Sequence, residues 1–145
     1  MRCTYYSALN CNDAAYLLTR AVQFFTPGIP QVYYVGMLAG ENDITLLRNG
    51  GEGRSINRHN FTLEEIDAAV KKPVVQKLLK LMRFRNDYNV FDGEFSAKLA
   101  GGEGSIRMTW VDGMLRASLD ADFKTLTFRI TYADPNTGAD RMLEL

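Results

Sequence analysis

The hydrophobic period changes once along this chain, at Phe91-Asp92-Gly93, and that change limits the possible folds more than any other feature. Beyond it, apolar residues alternate with polar ones. Phe95, Ala97 and Leu99 are followed by Ile106, Met108 and Trp110, then Leu115, Ala117 and Leu119, and finally Leu126, Phe128, Ile130 and Tyr132. A period of two is that of a half-buried strand. Asp112-Gly113 predicts a tight hairpin turn, and Gly101-Gly102-Glu103-Gly104 and Asp134-Pro135-Asn136-Thr137-Gly138 predict two further turns. Residues 93–145 are therefore expected to form an antiparallel sheet module of four or five strands.

Before Gly93 the pattern is helical. Asn12 is placed as an N-cap, Asp13 adds negative charge to the first turn, and Ala14, Leu18, Ala21, Val22 and Phe25 recur as one apolar stripe. Thr26-Pro27-Gly28 stops that helix. Thr62-x-x-Glu65 is a capping box, with Phe61 and Ile66 placed as its hydrophobic staple. Pro73 suits the first turn of a second helix, whose buried face is marked by Val75, Leu78, Leu79 and Met82 and which runs to about Asn86. Between the helices lies Ile29-Pro30-Gln31-Val32-Tyr33-Tyr34-Val35-Gly36, apolar almost throughout, as in a parallel strand covered on both faces. The sequence supplies no parallel neighbour for it. The expected class is α/β plus all-β, with residues 1–92 as the end of a larger α/β unit and 93–145 as a separate β-sheet domain.

Residues 37–60 form a long connection with one short helix expected at Asn42 to Leu47 and glycines at 50, 51 and 53. Connections of this length are more often functional than idle. Several chemistries are excluded for it. Gly50-Gly51-Glu52-Gly53 lacks the Lys-Ser/Thr of a phosphate loop. His59 is the chain's single histidine, so no Cys/His or Ser/His catalytic set has a second one to draw on. Cys3, Cys11 and His59 are too scattered for a metal site, so neither metal nor cofactor is expected.

Charge narrows the partners. The chain carries 17 Lys+Arg and 17 Asp+Glu, and none of its three parts, divided at residues 60 and 92, has an excess above two charges. Nucleic acid is not an expected partner. The basic run Lys71, Lys72, Lys77, Lys80, Arg83 and Arg85 is expected to be a solvated helix face, and Trp110 to pack in the sheet rather than to offer a sugar platform. No apolar run approaches the roughly 20 residues of a membrane span. Met1-Arg2-Cys3-Thr4-Tyr5-Tyr6 has no signal-peptide core, and two cysteines do not make a secreted disulfide scaffold. A cytoplasmic protein without membrane partners is expected.

Four motifs carry a resemblance. They are Thr4-Tyr5-Tyr6-Ser7-Ala8-Leu9, the run from Ala21 to Gly36, Leu38-Ala39-Gly40-Glu41-Asn42-Asp43, and Gly53-Arg54-Ser55-Ile56-Asn57-Arg58-His59. Together they resemble the C-terminal third of sucrose phosphorylases, in the α-amylase superfamily. The likeness runs from about Cys3 to Gly93 and is more general beyond. It implies that residues 12–36 are the seventh helix and eighth strand of a (β/α)8 TIM barrel, that 62–88 are its eighth helix, and that 93–145 are the following β-sheet domain. The loop 37–60 would then leave the barrel face that carries active sites.

The resemblance also implies a chemistry: reversible, retaining transfer of glucose from a glucoside to phosphate by double displacement. The family's nucleophile, acid/base and stabilising aspartate lie on earlier strands, so no catalytic residue is expected in this chain. Arg54 matches the arginine that holds the glucosyl ring, with Arg58 and His59 expected to structure the loop. Ser55 stands where the family commonly has aspartate, which bears on how Arg54 and Arg58 are paired. A free-standing, non-catalytic carbohydrate-binding or interaction module derived from such an enzyme is the alternative. In either case the open edges of Val32-Tyr33-Tyr34-Val35 predict a homo-oligomer through residues 12–40.

Overall fold

The computed structural model describes residues 3–50, 52–101 and 103–145, less the side chains of Leu46 and Leu47. Met1, Arg2, Gly51 and Gly102 lie outside the described residues. Among the described residues six helices precede the sheet: α1 (Tyr5–Ala8), α2 (Asp13–Phe25), α3 (Tyr34–Met37), α4 (Ile44–Arg48), α5 (Leu63–Ala69) and α6 (Pro73–Asp87), with one 3-10 turn at Ser55–Asn57. Five antiparallel strands follow in the order β1 (Glu94–Leu99), β2 (Ser105–Asp112), β3 (Leu115–Asp122), β4 (Thr127–Ala133) and β5 (Asp140–Met142).

The helix starts follow their caps. The Asn12 side chain accepts from the Ala15 N–H at 2.9 Å, satisfying one of the donors that a first turn leaves unpaired. Thr62 and Glu65 close a reciprocal capping box on α5, at 3.2 Å and 2.7 Å. Pro73 occupies the first position of α6, where its missing N–H costs nothing. Inward faces differ in detail from the expected stripes. Ala14 is exposed, and α2 buries Tyr16, Leu17, Leu18, Arg20, Ala21, Phe24 and Phe25. On α6, Val74 and Leu81 are buried alongside Val75 and Leu78, while Leu79 and Met82 are half-buried.

One core joins both halves of the chain. Leu18, Phe25, Val75 and Leu78 belong to the same buried cluster as Met108, Trp110, Leu119 and Ile130. The alternation read from the sequence holds on β2 and β3, where Met108, Trp110, Ala117, Leu119 and Ala121 point inward. It fails on β1. Ala97 and Leu99 are exposed, because β1 is an edge strand and the helices cover only its Phe95 end, where that ring meets Trp110 at 5.0 Å. Leu126 is not in β4: it sits in the preceding turn at φ 56°. Asp112 pairs with Leu115, so the hairpin loop is Gly113-Met114 rather than Asp112-Gly113. Gly113 takes φ 56° at its first position, where type II′ turns place glycine.

The largest departure is the expected strand. Residues 29–33 form no strand, Tyr33 is extended, and Tyr34–Met37 is a single helical turn. A strand exists only through neighbours that take its N–H and C=O groups. Among the described residues none pairs with this segment, and its backbone bonds close locally: Met37 N–H to Tyr33 O at 2.9 Å and Gly40 N–H to Val35 O at 2.8 Å. Two-fold pairing of strand edges at Val32–Val35 therefore has no strand to use. Arg85 also departs from the solvated face expected of it. It is half-buried, lies 4.1 Å over the Phe91 ring, and donates to Phe24 O and Gly28 O.

Where the helical part meets the sheet, Gly93 leaves no room for a side chain. A Cβ there would fall against the Val111 carbonyl, 2.8 Å from its carbon and 2.7 Å from Asp112 Cβ. Backbone in a paired strand yields little, so Gly93→Ala should destabilise the chain by about 1–3 kcal/mol. A lowered urea midpoint at unchanged slope is the expected readout, and an unchanged midpoint would mean that Val111 moves without cost.

Candidate functional site

The loop that follows α3 is held by polar contacts rather than by a core of its own. Asn42 reaches back to α1: its backbone N–H donates to Ser7 Oγ at 2.9 Å, and its side-chain oxygen accepts from Thr4 N–H at 2.7 Å. That use of Asn42 leaves α4 to begin at Ile44. The next residue along from Asn42, Asp43, donates its backbone N–H to Ile56 O at 2.7 Å, fastening the 3-10 turn to the start of the loop. The turn is closed by Ser55 N–H to Glu52 O at 2.7 Å and Arg58 N–H to Ser55 O at 3.1 Å.

Arg54 stands at the N-terminal end of this turn, half-exposed, with its Nε donating to the Glu52 carboxylate. With Tyr33, Asn57 and Arg58 it lines an open depression. Among the described residues Arg58 forms no ion pair, and its positive charge favours ionisation of the Tyr34 hydroxyl, against the stronger upward push of burial and of the bond with Tyr33. Ser55 is half-buried and Glu52 supplies the carboxylate for Arg54.

The His59 ring contacts three side chains: Asp43, Glu65 and Phe61. Its Nδ1 lies 2.6 Å from Asp43 Oδ2, and its Nε2 lies 3.2 Å from both oxygens of Glu65. Its ring meets Phe61 edge-on at 4.7 Å, and its backbone carbonyl accepts from the Tyr34 hydroxyl at 2.8 Å. Each ring nitrogen thus faces a carboxylate, and only the imidazolium donates to both. The bond to Asp43 raises the His59 pKa above its ordinary value, burial opposes this, and Glu65 adds to the rise. Glu65 is held low, first by the Thr62 backbone N–H and then by His59.

Sequence reasoning selected Arg54, Arg58 and His59, and the fold brings them to one loop. It missed Glu52, Asp43 and Tyr33. It found Glu65 only as a helix cap. The capping box was the one signal near His59, and nothing in a loop's composition announces a carboxylate sixteen positions away. Trp110 is buried, with its Nε1 donating to Phe25 O at 2.8 Å, so it packs the sheet.

No protein-family model matches the chain. Over 136 residues it is 56% identical to the sucrose 6(F)-phosphate phosphorylase of Thermoanaerobacterium thermosaccharolyticum, covering 94% of this chain and 28% of that protein. It is 51% identical over 144 residues to the glucosylglycerol phosphorylase of Marinobacter adhaerens, covering 99% and 30%. It is 53% identical over 116 residues to the sucrose phosphorylase of Bifidobacterium adolescentis, covering 80% and 23%. The crystal structure of sucrose 6F-phosphate phosphorylase from Thermoanaerobacter thermosaccharolyticum matches 99% of this chain and 29% of its own at a TM-score of 0.94 and 53% identity. The chain is homologous to the C-terminal part of sucrose phosphorylase-type enzymes. It spans under a third of the length of these relatives, which fits a segment without the family's catalytic carboxylates. The five-stranded sheet is the counterpart of the C-terminal β-domain of sucrose phosphorylases. A free-standing sugar-binding module is not favoured, since the named matches are all phosphorylases. Among the described residues no helix is long and apolar enough to cross a membrane.

The geometry around His59 sets a sign for its titration. A raised pKa in the folded chain means that its contribution to stability is fully present below the ordinary value of about 6.5 and is lost as pH rises through the folded value. Proton NMR of the imidazole should give a midpoint above that of an unfolded histidine. Asp43→Asn should lower the midpoint more than Glu65→Gln does, and the reverse order would show that Glu65 is the dominant partner.

Proposed function

We propose that this chain is the part of a glucoside phosphorylase that carries the donor-side loop, and that Arg54 holds the glucosyl unit of the substrate there. The observation behind this reading is the likeness in sequence and fold over 99% of the chain. A second observation narrows the ligand. The relatives' names differ in what is joined to glucose, as in sucrose, sucrose 6(F)-phosphate and glucosylglycerol, and a relative of each name is at least 51% identical to this chain. A segment shared across all three names suits the common glucosyl unit better than the variable aglycone.

In this reading, residues 1–92 end a (β/α)8 barrel, with 12–36 as its seventh helix and eighth strand and 62–88 as its eighth helix. Residues 93–145 follow as the C-terminal sheet domain. A carboxylate from the rest of the barrel attacks the anomeric carbon, a carboxylic acid protonates the leaving group, and phosphate then takes the glucosyl unit with retention. Arg54 moves no proton. Its guanidinium offers several fixed donors to neighbouring sugar hydroxyls, and the Glu52 carboxylate restricts its orientation. Tyr33, Asn57 and Arg58 complete the polar rim. The free thiols of Cys3 and Cys11 suit a reducing, cytoplasmic setting. Ile29, 93% exposed, and Tyr33, 54% exposed, belong to a face that the rest of the barrel would cover. By itself the chain would self-associate through residues 12–40, and light scattering that returned a clean monomer would contradict this.

The test uses a chimera in which this segment replaces its counterpart in the Thermoanaerobacterium enzyme. Arg54→Ala removes one or two charge-assisted hydrogen bonds, each of about 1.5–3 kcal/mol. Its kcat/KM for the glucoside should therefore fall at least roughly tenfold. An unchanged value would remove Arg54 from the site. The chain without the remaining barrel should release no glucose 1-phosphate from sucrose and phosphate above a protein-free blank.

A further inference from the structure

Arg54 projects from a turn whose residues, Ser55, Ile56 and Asn57, are only half-buried, so among the described residues the turn places no side chain deep in the core. Something else must hold the turn in register. Two attachments are visible. One is the Asp43 N–H bond to Ile56 O, at 2.7 Å. The other is the chain segment that leaves the turn through Arg58 to His59. Both attachments converge on one side chain, because the carboxylate of the same Asp43 meets His59 Nδ1 at 2.6 Å. His59 Nε2 then carries the connection to Glu65 on α5, the helix whose capping box fixes its own start.

We propose that His59 is a positioning residue that clasps Asp43 and Glu65 across the loop, holds the Arg54 turn in place, and lets it go when the imidazolium loses its proton. This rests on the assignment of Arg54 to the glucosyl unit. The clasp itself follows from donor count. The imidazolium has two N–H groups and faces two carboxylates. Neutral imidazole has one N–H, so after deprotonation one ring nitrogen and one carboxylate oxygen face each other as acceptors. The Glu65 contact, longer and more exposed, is the one that opens first.

The charged surroundings favour such a device. Asp43, from the segment before α4, and Glu65, from α5, both stabilise the cation, and Glu41 lines the same depression as His59. The groups that act otherwise are Arg58, next in the chain, and Tyr34 on α3, whose hydroxyl binds the His59 carbonyl in either protonation state. The Tyr34 bond keeps the backbone of His59 attached when the ring lets go, so release loosens the turn without unfolding the chain.

Hydrogen exchange on the 145-residue chain tests the clasp directly. The protection factors of the Asp43 and Arg58 amides should fall by about tenfold as pH rises through the His59 midpoint measured by NMR, while those of β2 and β3 stay level. His59→Gln should show the low, pH-independent protection throughout. Should that variant not fold, Glu65→Gln retains the Asp43 contact and should lose most of the pH dependence. In the chimera, KM for the glucoside should rise over the same pH range with kcat nearly unchanged, and His59→Gln should flatten that profile. Protection that ignores the His59 midpoint, or sheet amides that fall in parallel, would overturn the clasp. If the amides respond as stated but Arg54→Ala leaves KM unchanged, the clasp stands and the assignment of Arg54 fails.

Discussion

The end of α2 is where the fold is tied together. A helix leaves its last carbonyls without intrahelical partners, and burying them unpaired would be costly. Here Phe24 O accepts from Arg85 Nε at 2.9 Å, Phe25 O from Trp110 Nε1 at 2.8 Å, and Gly28 O from Arg85 Nη2 at 3.1 Å. One donor comes from α6 and the other from β2, so three elements distant in sequence meet through one helix terminus. The Phe91 ring adds contact area beside these donors, packing against Phe25 at 5.4 Å and against Trp110 at 5.8 Å, with the Arg85 guanidinium 4.1 Å over it. Tyr88 plays a corresponding part at the end of β4, where its hydroxyl donates to Ala133 O at 2.7 Å and its ring stacks on Phe84. Helices and sheet therefore form one core, although their sequence patterns are unlike.

The loop with Arg54 is attached to that platform differently. Its contacts are polar and mostly short-range in space: Asn42 to α1, Asp43 to Ile56, His59 to Glu65. Polar attachments of this kind are directional but individually modest, because water competes for each group. The consequence is a division of labour. The core determines where the loop begins and ends, and a few hydrogen bonds determine where Arg54 stands within it. Substitutions in the core should act on stability, whereas changes at Asp43, His59 or Glu65 should act on the turn.

What could be read from the sequence follows the same division. Asn12, Thr62-x-x-Glu65 and Pro73 announced helix starts because capping is a contact among neighbours in the chain. Alternation across Met108, Trp110, Ala117 and Leu119 announced strands because the covered face repeats every second residue. The segment Val32–Val35 misled for a physical reason: its composition suits a strand buried on both faces, but a strand also requires partners, which composition cannot supply. Ala97 and Leu99 misled because alternation predicts a face without saying how far the covering helices extend. Of the site, Arg54, Arg58 and His59 came from one short motif, while Asp43 and Glu52 became visible only when the loop was folded.

The likeness to a chain more than three times as long also has a physical explanation. A segment of a larger enzyme keeps its shape if its own contacts are sufficient to define it. For α2, α6 and the sheet they are, since Leu18, Phe25, Val75, Leu78, Leu119 and Ile130 are each buried by residues within this chain. The segment between α2 and the loop is otherwise. Ile29 and Tyr33 are exposed, and the backbone of residues 29–33 makes no ladder, so this segment takes little of its shape from contacts within the chain. Arg54 lies between these two regimes: its turn is fastened to Asp43 through the Ile56 carbonyl, and the depression beside it is lined by the exposed Tyr33.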